Sequence, residues 1–486
     1  MSRNMETEGN CECDPSPGWK FWKRRRYVVA FLGFFGFFNI YALRANLSIA
    51  IVAMTENKTI VVDNETTVYV KEFDWDSKIQ GYVLSSFFYG YITTQLFGGW
   101  FAMKVGGKNL FGIGVGGTAF MTVITPFVAN ISVYLLIAVR ILEGICEGFT
   151  YPSIHAIWSQ WAPPYERSRL ATLAFGGAYV GTVVAMPTCA LLADKLGWSY
   201  IFYVYGGIGL LWYLLWQLIV STKPSEDPRI STAELNYITK SLGTVVAKEV
   251  KHPWKSIFSS TAVWAIVVAH TTENWGFYTL LTQLPKYMKD ILNYDLASTG
   301  YMTAIPYLAM SIVLPICGQL ADWLLIKNIF SITTVRKLFN CLAFLAQTVF
   351  MISASYATSA PVALACLTAA TGLGSFAIAG WSVNYLDVAP QHASVLMGIG
   401  NTVATLPGIL SPILSGYIVT TPTREEWRII FYVTGAVYLF GSIFYAIFAD
   451  GELQPWAAES QTLKSKTEKS KEDLNGIENG TFKYEL

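Results

Sequence analysis

Ionisable side chains inside long apolar runs mark where this chain could do chemistry. A charge buried in such a run costs on the order of several kcal/mol unless it is paired or hydrated, so each one is a functional candidate. Arg44 lies in the run 27–54, with Tyr41 one helical turn before it. Its guanidinium stays charged and can hold a carboxylate or phosphate through two parallel hydrogen bonds. Two readings compete: an anion-binding arginine, or a structural cation paired with a carboxylate on another helix. Its depth within the run argues against snorkelling to the membrane surface, and a buried positive charge with Tyr41 one turn away suits the anion site better.

A second group reads Arg140, Glu143 and Glu147. Spacings of three, four and seven place all three along one helical face, continued by Tyr151, Pro152 and His155. Burial favours the neutral form of a carboxylate, and a neighbouring guanidinium favours the charged form. A carboxylate held between those influences can load and release a proton as its site opens to either side. An intrahelical ion pair would account for Arg140 with one glutamate, which leaves the other free for proton coupling; His155 is read as structural. A third group holds His270, Glu273, Asn274 and Tyr278. Asn274 and Tyr278 are substrate-site candidates beside Arg44 and Tyr41. His270 and Glu273 are pathway candidates, and Glu273 is within reach of pairing with either His270 or Arg44. Asn384 is a further pathway residue, and Asp387, near the cytosolic end of its run, is read as a gate or cap.

The elements that must carry these residues are membrane helices. The chain is 53% hydrophobic and 14% charged, too few charges to coat a soluble protein of this length. Runs long enough to span a bilayer fall near 27–54, 79–103, 109–129, 132–157, 169–193 and 199–221. After a polar interval they resume near 262–285, 298–320, 335–355, 360–386, 395–420 and 427–449. The expectation is an all-α polytopic membrane protein of twelve spans in two six-helix halves. An N-terminal tail (1–26) precedes the first half (27–221), a linker (222–261) joins it to the second half (262–449), and a tail (450–486) follows. A helix is expected in the linker after Ser231, with Glu234 placed as in a capping box, and the tail after Trp456 reads as disordered.

Lys20, Lys23, Arg24, Arg25 and Arg26 precede the first span, and basic pairs recur at alternate loops, so both termini are expected in the cytosol. The acidic loop 56–78 carries sequons at Asn57 and Asn64, which belong on the outer or lumenal face. Sequons at Asn46, Asn130 and Asn479 are not expected to be used. Five of the seven cysteines sit singly in apolar runs as small apolar residues, and no metal-ligand spacing occurs. No cofactor, nucleic-acid partner or enzymatic constellation is expected, and the protein is read as a working monomer in the bilayer.

Six plus six spans is the layout of transporters whose halves rock about a midplane site. Gly99 to Gly106 after the second span and Gly318 to Asp322 after the eighth approximate the loop motif of the major facilitator superfamily, with Met103 where Asp is expected. The stretch from Trp158 to Arg169, with 384–390 and 451–456, resembles the signature of the solute-carrier anion–cation symporters. That family holds sialin, the vesicular glutamate transporters and the type I sodium–phosphate cotransporters. The resemblance covers about Arg25 to Trp456. It implies the major facilitator fold, with Arg44 as the substrate-anion arginine and the fourth-span charges as coupling machinery.

Within the family, Leu84 stands where vesicular glutamate transporters carry a histidine, and Glu273 where they carry an arginine. Both departures remove positive charge from the pathway. The glutamates Glu143 and Glu147 and the stretch 264–270 resemble sialin, a proton-coupled exporter of acidic sugars from lysosomes, although Glu273 departs from sialin too. The leading expectation is proton-coupled symport of small organic anions, with sodium-driven phosphate cotransport as the alternative. A non-transporting receptor or scaffold is the alternative of another class. The membrane of residence is the plasma membrane or a lysosomal or vesicular membrane.

Overall fold

A computed structural model describes residues 23–62, 66–163, 166–242 and 252–458. The expected disorder of the tail beyond 458, Cys11, Cys13 and the sequons at Asn64 and Asn479 lie outside the described residues. Twelve membrane crossings are built from the helices α1 (Arg25–Thr55), α2 (Ser77–Val105), α3 (Gly107–Ile131), α4 (Val133–Glu147) with α5 (Thr150–Trp161), α6 (Arg167–Lys195) and α7 (Trp198–Ile219) in the first half. Two short linker helices, α8 (Thr232–Leu242) and α9 (Trp254–Ser259), lead to the second half. It comprises α10 (Thr261–Asp290), α11 (Leu296–Ile326), α12 (Ile332–Tyr356), α13 (Ala360–Val388), α14 (Ala393–Val403) with α15 (Leu406–Ile418), and α16 (Arg424–Phe448). A 25-residue helix is about 38 Å long, enough for a hydrocarbon core of about 30 Å.

Nine crossings qualify on length and apolarity alone among the described residues. The other three are α2, the α4–α5 pair and α10, and these carry Gln95, the Arg140–Glu147 group and the His270–Tyr278 group. Their polarity is what lowers the signal. Large apolar side chains such as Phe127, Leu218 and Ile326 remain exposed on the rim, the surface that lipid covers.

Three features depart from the sequence expectation. The fourth crossing is interrupted between Glu147 and Thr150, and the eleventh between Val403 and Leu406. The outer loop holds an antiparallel hairpin, β1 (Asn57–Val62) and β2 (Thr66–Lys71), with Asn57 opposite Lys71. The capping box at α8 is half made: Ser231 Oγ accepts the Glu234 amide at 3.2 Å, but the Glu234 carboxylate is used elsewhere. It accepts the backbone amides of Arg25 and Arg26 at 2.8 and 3.2 Å, capping α1 across the linker. Arg25 also pairs with Asp227 at 2.9 Å and Arg26 with Glu166 at 2.8 Å. Arginines read as orientation signals therefore also bind the linker to the first helix.

The halves meet through α1 with α10, α2 with α15, and α6 with α11. Adding six to spans two and eleven, modulo twelve, gives eight and five, as a pseudo-two-fold relation between the halves requires. Contacts between halves run from Thr405 on Gln95 near the middle (3.3 Å) through Tyr82 on Tyr417 (2.8 Å) to Lys286 on Ser77 (3.0 Å) and an ion pair of Lys289 with Glu56. These lie toward the end of the bundle that carries the hairpin.

Candidate functional site

Two ion pairs organise the first half. Arg44 of α1 pairs with Glu147 of α4: Nε donates to Oε1 at 3.1 Å, and a terminal guanidinium nitrogen reaches the same oxygen. Both side chains are almost wholly buried, at 3% and 0% exposure. Arg140 pairs with Glu143 one turn along α4. Glu143 Oε1 also accepts from Thr122 Oγ1 at 3.1 Å and Thr125 Oγ1 at 3.4 Å on α3. The second glutamate, left without a partner by the sequence reading, thus has Arg44. The structural-cation geometry weighed for Arg44 is the one present in this conformation. Two positive and two negative charges balance, and Glu147 keeps its Oε2 without a hydrogen-bond partner.

Aromatic rings surround the Arg44 guanidinium. Tyr41, Tyr91 and Phe87 have centroids 4.9, 5.0 and 5.1 Å from its carbon, and the Arg140 guanidinium lies 5.3 Å from the same Phe87 ring. A guanidinium at this distance over a ring face is attracted by its quadrupole. Phe87 and Tyr91 reach this position because α2 and α4 touch backbone to backbone: a Cβ at Gly144 would collide with the Phe87 carbonyl oxygen. Small residues permit such close approach. Spacing along one helix does not reveal this cage, because its rings come from two helices. Thr118, Thr122 and Thr125, at i, i+4 and i+7 on α3, are a polar stripe in the sequence that could have pointed to the Glu143 partners, which the sequence reading missed.

Tyr41 Oη lies 2.9 Å from Tyr151 Oη, tying α1 to α5 beside the break in the fourth crossing. Tyr278 of α10 brings its hydroxyl to Arg44 from the other half, and its ring packs edge-on against Phe88 at 4.7 Å. Arg44, Tyr41, Glu147 and Tyr278 therefore converge on the junction of the halves. Asn274 joins a different part of it: its side-chain nitrogen donates to the Ala404 carbonyl at 2.9 Å, pinning α10 to the gap between α14 and α15.

The remaining candidates are distributed through the second half. His270 stacks on Trp381 with centroids 3.9 Å apart, and its Nδ1 is 3.4 Å from Tyr385 Oη. Glu273 meets neither His270 nor Arg44. It sits beside Gln347 of α12 instead. Asn384 donates to Tyr445 Oη at 2.8 Å, and Asp387 accepts from Arg336 Nε at 2.7 Å. In the first half, His155 of α5 is exposed and has its ring 5.7 Å from Phe175.

The sequence matches the Major Facilitator Superfamily over residues 29–412. It is 43% identical to human sialin over 448 residues, covering 89% of this chain and 90% of that protein. The chain belongs to the Major Facilitator Superfamily, in the family of sialin and the vesicular glutamate transporters. Vesicular glutamate transporter 1 of Xenopus laevis is 42% identical over 447 residues, covering 91% of this chain and 78% of the relative. Overall identity thus does not separate the two branches. The fold is shared with a bacterial homolog of the human lysosomal transporter Spinster (TM-score 0.71, 14% identity, 89% of this chain and 99% of that one). It is shared also with a D-xylose–proton symporter (TM-score 0.64, 16% identity, 87% and 98%). The chain is therefore a multi-pass membrane transporter with a small-molecule substrate. It is not an enzyme.

Proposed function

We propose that this protein is a secondary active transporter of small organic anions, of the sialin-like acidic sugar or carboxylate class, working by proton-coupled symport with alternating access. The observation that carries the reading is the buried Arg44–Glu147 pair at the junction of the halves, with one glutamate oxygen unused. A substrate carboxylate competes with Glu147 for the Arg44 fork. Once displaced, Glu147 is a buried carboxylate without its cation and takes a proton. The exchange replaces one anion by another on Arg44 and neutralises the first, so the net charge of the site stays at zero. Moving such a site across the membrane potential does no electrical work. One proton then accompanies each substrate carboxylate.

Tyr41 and Tyr278 flank Arg44 from the two halves and supply hydroxyls for the substrate's polar groups. Asn274 acts at one remove, by holding the gap of the eleventh crossing against α10. Arg140 and Glu143, matched to each other and to two threonines, keep α4 in register with α3. The identities of the relatives favour an anionic substrate, and the replacements at Leu84 and Glu273 argue against vesicular glutamate loading. By the same reading both termini are cytosolic, Asn57 is available for glycosylation on the opposite face, and the monomer is the working unit in a lysosomal, vesicular or plasma membrane.

Uptake of a labelled sialic acid, glutamate or inorganic phosphate into proteoliposomes tests the proposal under an imposed pH or sodium gradient. Proton-driven accumulation of an organic anion, lost in Arg44→Ala, is expected. Sodium-driven phosphate uptake without any proton-driven organic anion would establish the alternative. A folded Arg44→Ala protein with every activity intact would favour a receptor or scaffold.

A further inference from the structure

Glu273 is the in-span carboxylate whose surroundings the anion site does not explain. Glu143, Glu147 and Asp387 each face a guanidinium. Glu273 is 5% exposed, and the described groups that face it are neutral. With Gly276, Phe277 and Leu280 it forms the i, i+3, i+4, i+7 face of α10, turned into the second half and away from Tyr278. That face lines a cavity closed by Tyr307 and Met310 of α11, Gln347 of α12, Thr371 of α13 and Tyr438 of α16.

The cavity is rich in oxygen atoms with nothing to bind. Glu273 Oε2, Gln347 Oε1 and Tyr307 Oη are each buried without a hydrogen-bond partner. The Gln347 amide nitrogen donates to Tyr438 Oη at 3.1 Å and also faces Glu273 Oε1, so its carbonyl oxygen is the end left over. A Cβ at Gly374 would meet that same amide nitrogen, and Glu273 Oε1 at 3.3 Å, which brackets the two side chains together. Buried polar atoms of this kind are normally satisfied, and an uncompensated buried carboxylate is costly. One carboxylate, one amide oxygen and two phenol oxygens, with no nitrogen or sulfur acceptor among them, match a hard cation bearing a single charge.

We propose that this cavity is a monovalent-cation site in the C-terminal half, in which Glu273 Oε2, Gln347 Oε1 and the Tyr307 and Tyr438 hydroxyls enclose a sodium ion or a proton. The titratable groups facing Glu273 are Tyr307 from α11, Tyr438 from α16 and, from the N-terminal half, Tyr179 of α6. Gln347 and Thr371 are the polar groups from α12 and α13. Tyr179 lies within electrostatic reach of both Tyr41 and Glu273, so the site borders the junction where Arg44 sits. A cation bound here ties four helices of one half together beside that junction.

The site requires no assumption about the transported anion, so it is measured on the full-length purified protein without substrate. The thermal unfolding midpoint is followed as sodium chloride replaces choline chloride at fixed pH. In parallel, the protons taken up on acidification in choline chloride are counted. For a sodium site, a saturable rise in the midpoint is expected in the wild type. Glu273→Gln abolishes that rise, and Tyr307→Phe, which loses one ligand, needs about tenfold more sodium. For a proton site, sodium has no specific effect, and the wild type takes up one more proton than Glu273→Gln. If Glu273→Gln fails to fold, Tyr307→Phe decides, through its sodium requirement or through a displaced proton-uptake curve. Neither a saturable sodium effect nor any difference in proton uptake between wild type and variants would overturn the proposal, whatever becomes of the anion site.

Discussion

Replacing Glu147 by glutamine separates the anion site from its coupling. The change keeps the shape of the side chain and removes both its charge and its ability to exchange a proton. In the structure, Glu147 Oε1 accepts two hydrogen bonds from Arg44, so an incoming anion must displace both. Hydrogen bonds to charged groups contribute about 1.5–3 kcal/mol each; both Arg44 bonds go to one oxygen, so the glutamine carbonyl can still accept both, but without the carboxylate's charge. Weakening these two bonds in the empty state reduces the free energy the substrate must overcome to displace the side chain by roughly 1.4 kcal/mol, or tenfold in affinity. The same substitution leaves Arg44 short of a counter-charge, and breaking a buried pair costs about 3–5 kcal/mol of stability. Saturating anion should restore part of that loss, because the substrate carboxylate becomes the missing partner. Proteoliposomes loaded with unlabelled anion report exchange, and empty ones under a pH gradient report accumulation. E147Q is expected to exchange with about tenfold tighter apparent affinity, to lose accumulation, and to be stabilised by anion more strongly than the wild type. Accumulation by E147Q at the wild-type level under a pH gradient would refute the displacement mechanism.

Arg44→Lys keeps the charge and loses the two-pronged geometry, so the apparent affinity for the anion should fall at least about tenfold in the same exchange assay. Asp387→Asn strands the buried Arg336 guanidinium between α12 and α13, and a lower unfolding midpoint, with anion affinity nearly unchanged, is expected from thermal denaturation in detergent. Glu56→Gln removes the ion pair to Lys289 that joins the halves near the hairpin. Single cysteines placed along α2 near Tyr82 should then react faster with a membrane-impermeant reagent, and an unchanged rate would show that the pair does not hold this end closed.

Much of this protein could be read from its residues in order. Bilayer thickness and the cost of exposing backbone polar groups to lipid leave few arrangements for twelve apolar runs, so the helices follow the runs closely. The buried charges could be singled out for the same reason, since nothing in lipid neutralises Arg44 or Glu147 except another side chain. Even the face shared by Arg140, Glu143 and Glu147 follows from helical spacing alone.

Partners across helices are a different matter, because they depend on how rigid helices pack rather than on position along the chain. Arg44 takes Glu147 from another helix while Arg140 takes Glu143 on its own, and the close approach of α2 and α4 at Gly144 sets the Phe87 ring against both guanidiniums. Glu273 looked equally able to reach His270 or Arg44. The rotation of α10 instead sends it into the second half, facing Gln347 and Tyr307, while Tyr278 on another face of the same helix meets Arg44. Sequence alone therefore determined the spans and which residues carry buried charge. The tertiary packing decided which charges neutralise one another, and that the described groups facing Glu273 are neutral. Pairing energy in a low-dielectric interior depends on ångström-scale separations that only the packed helices set.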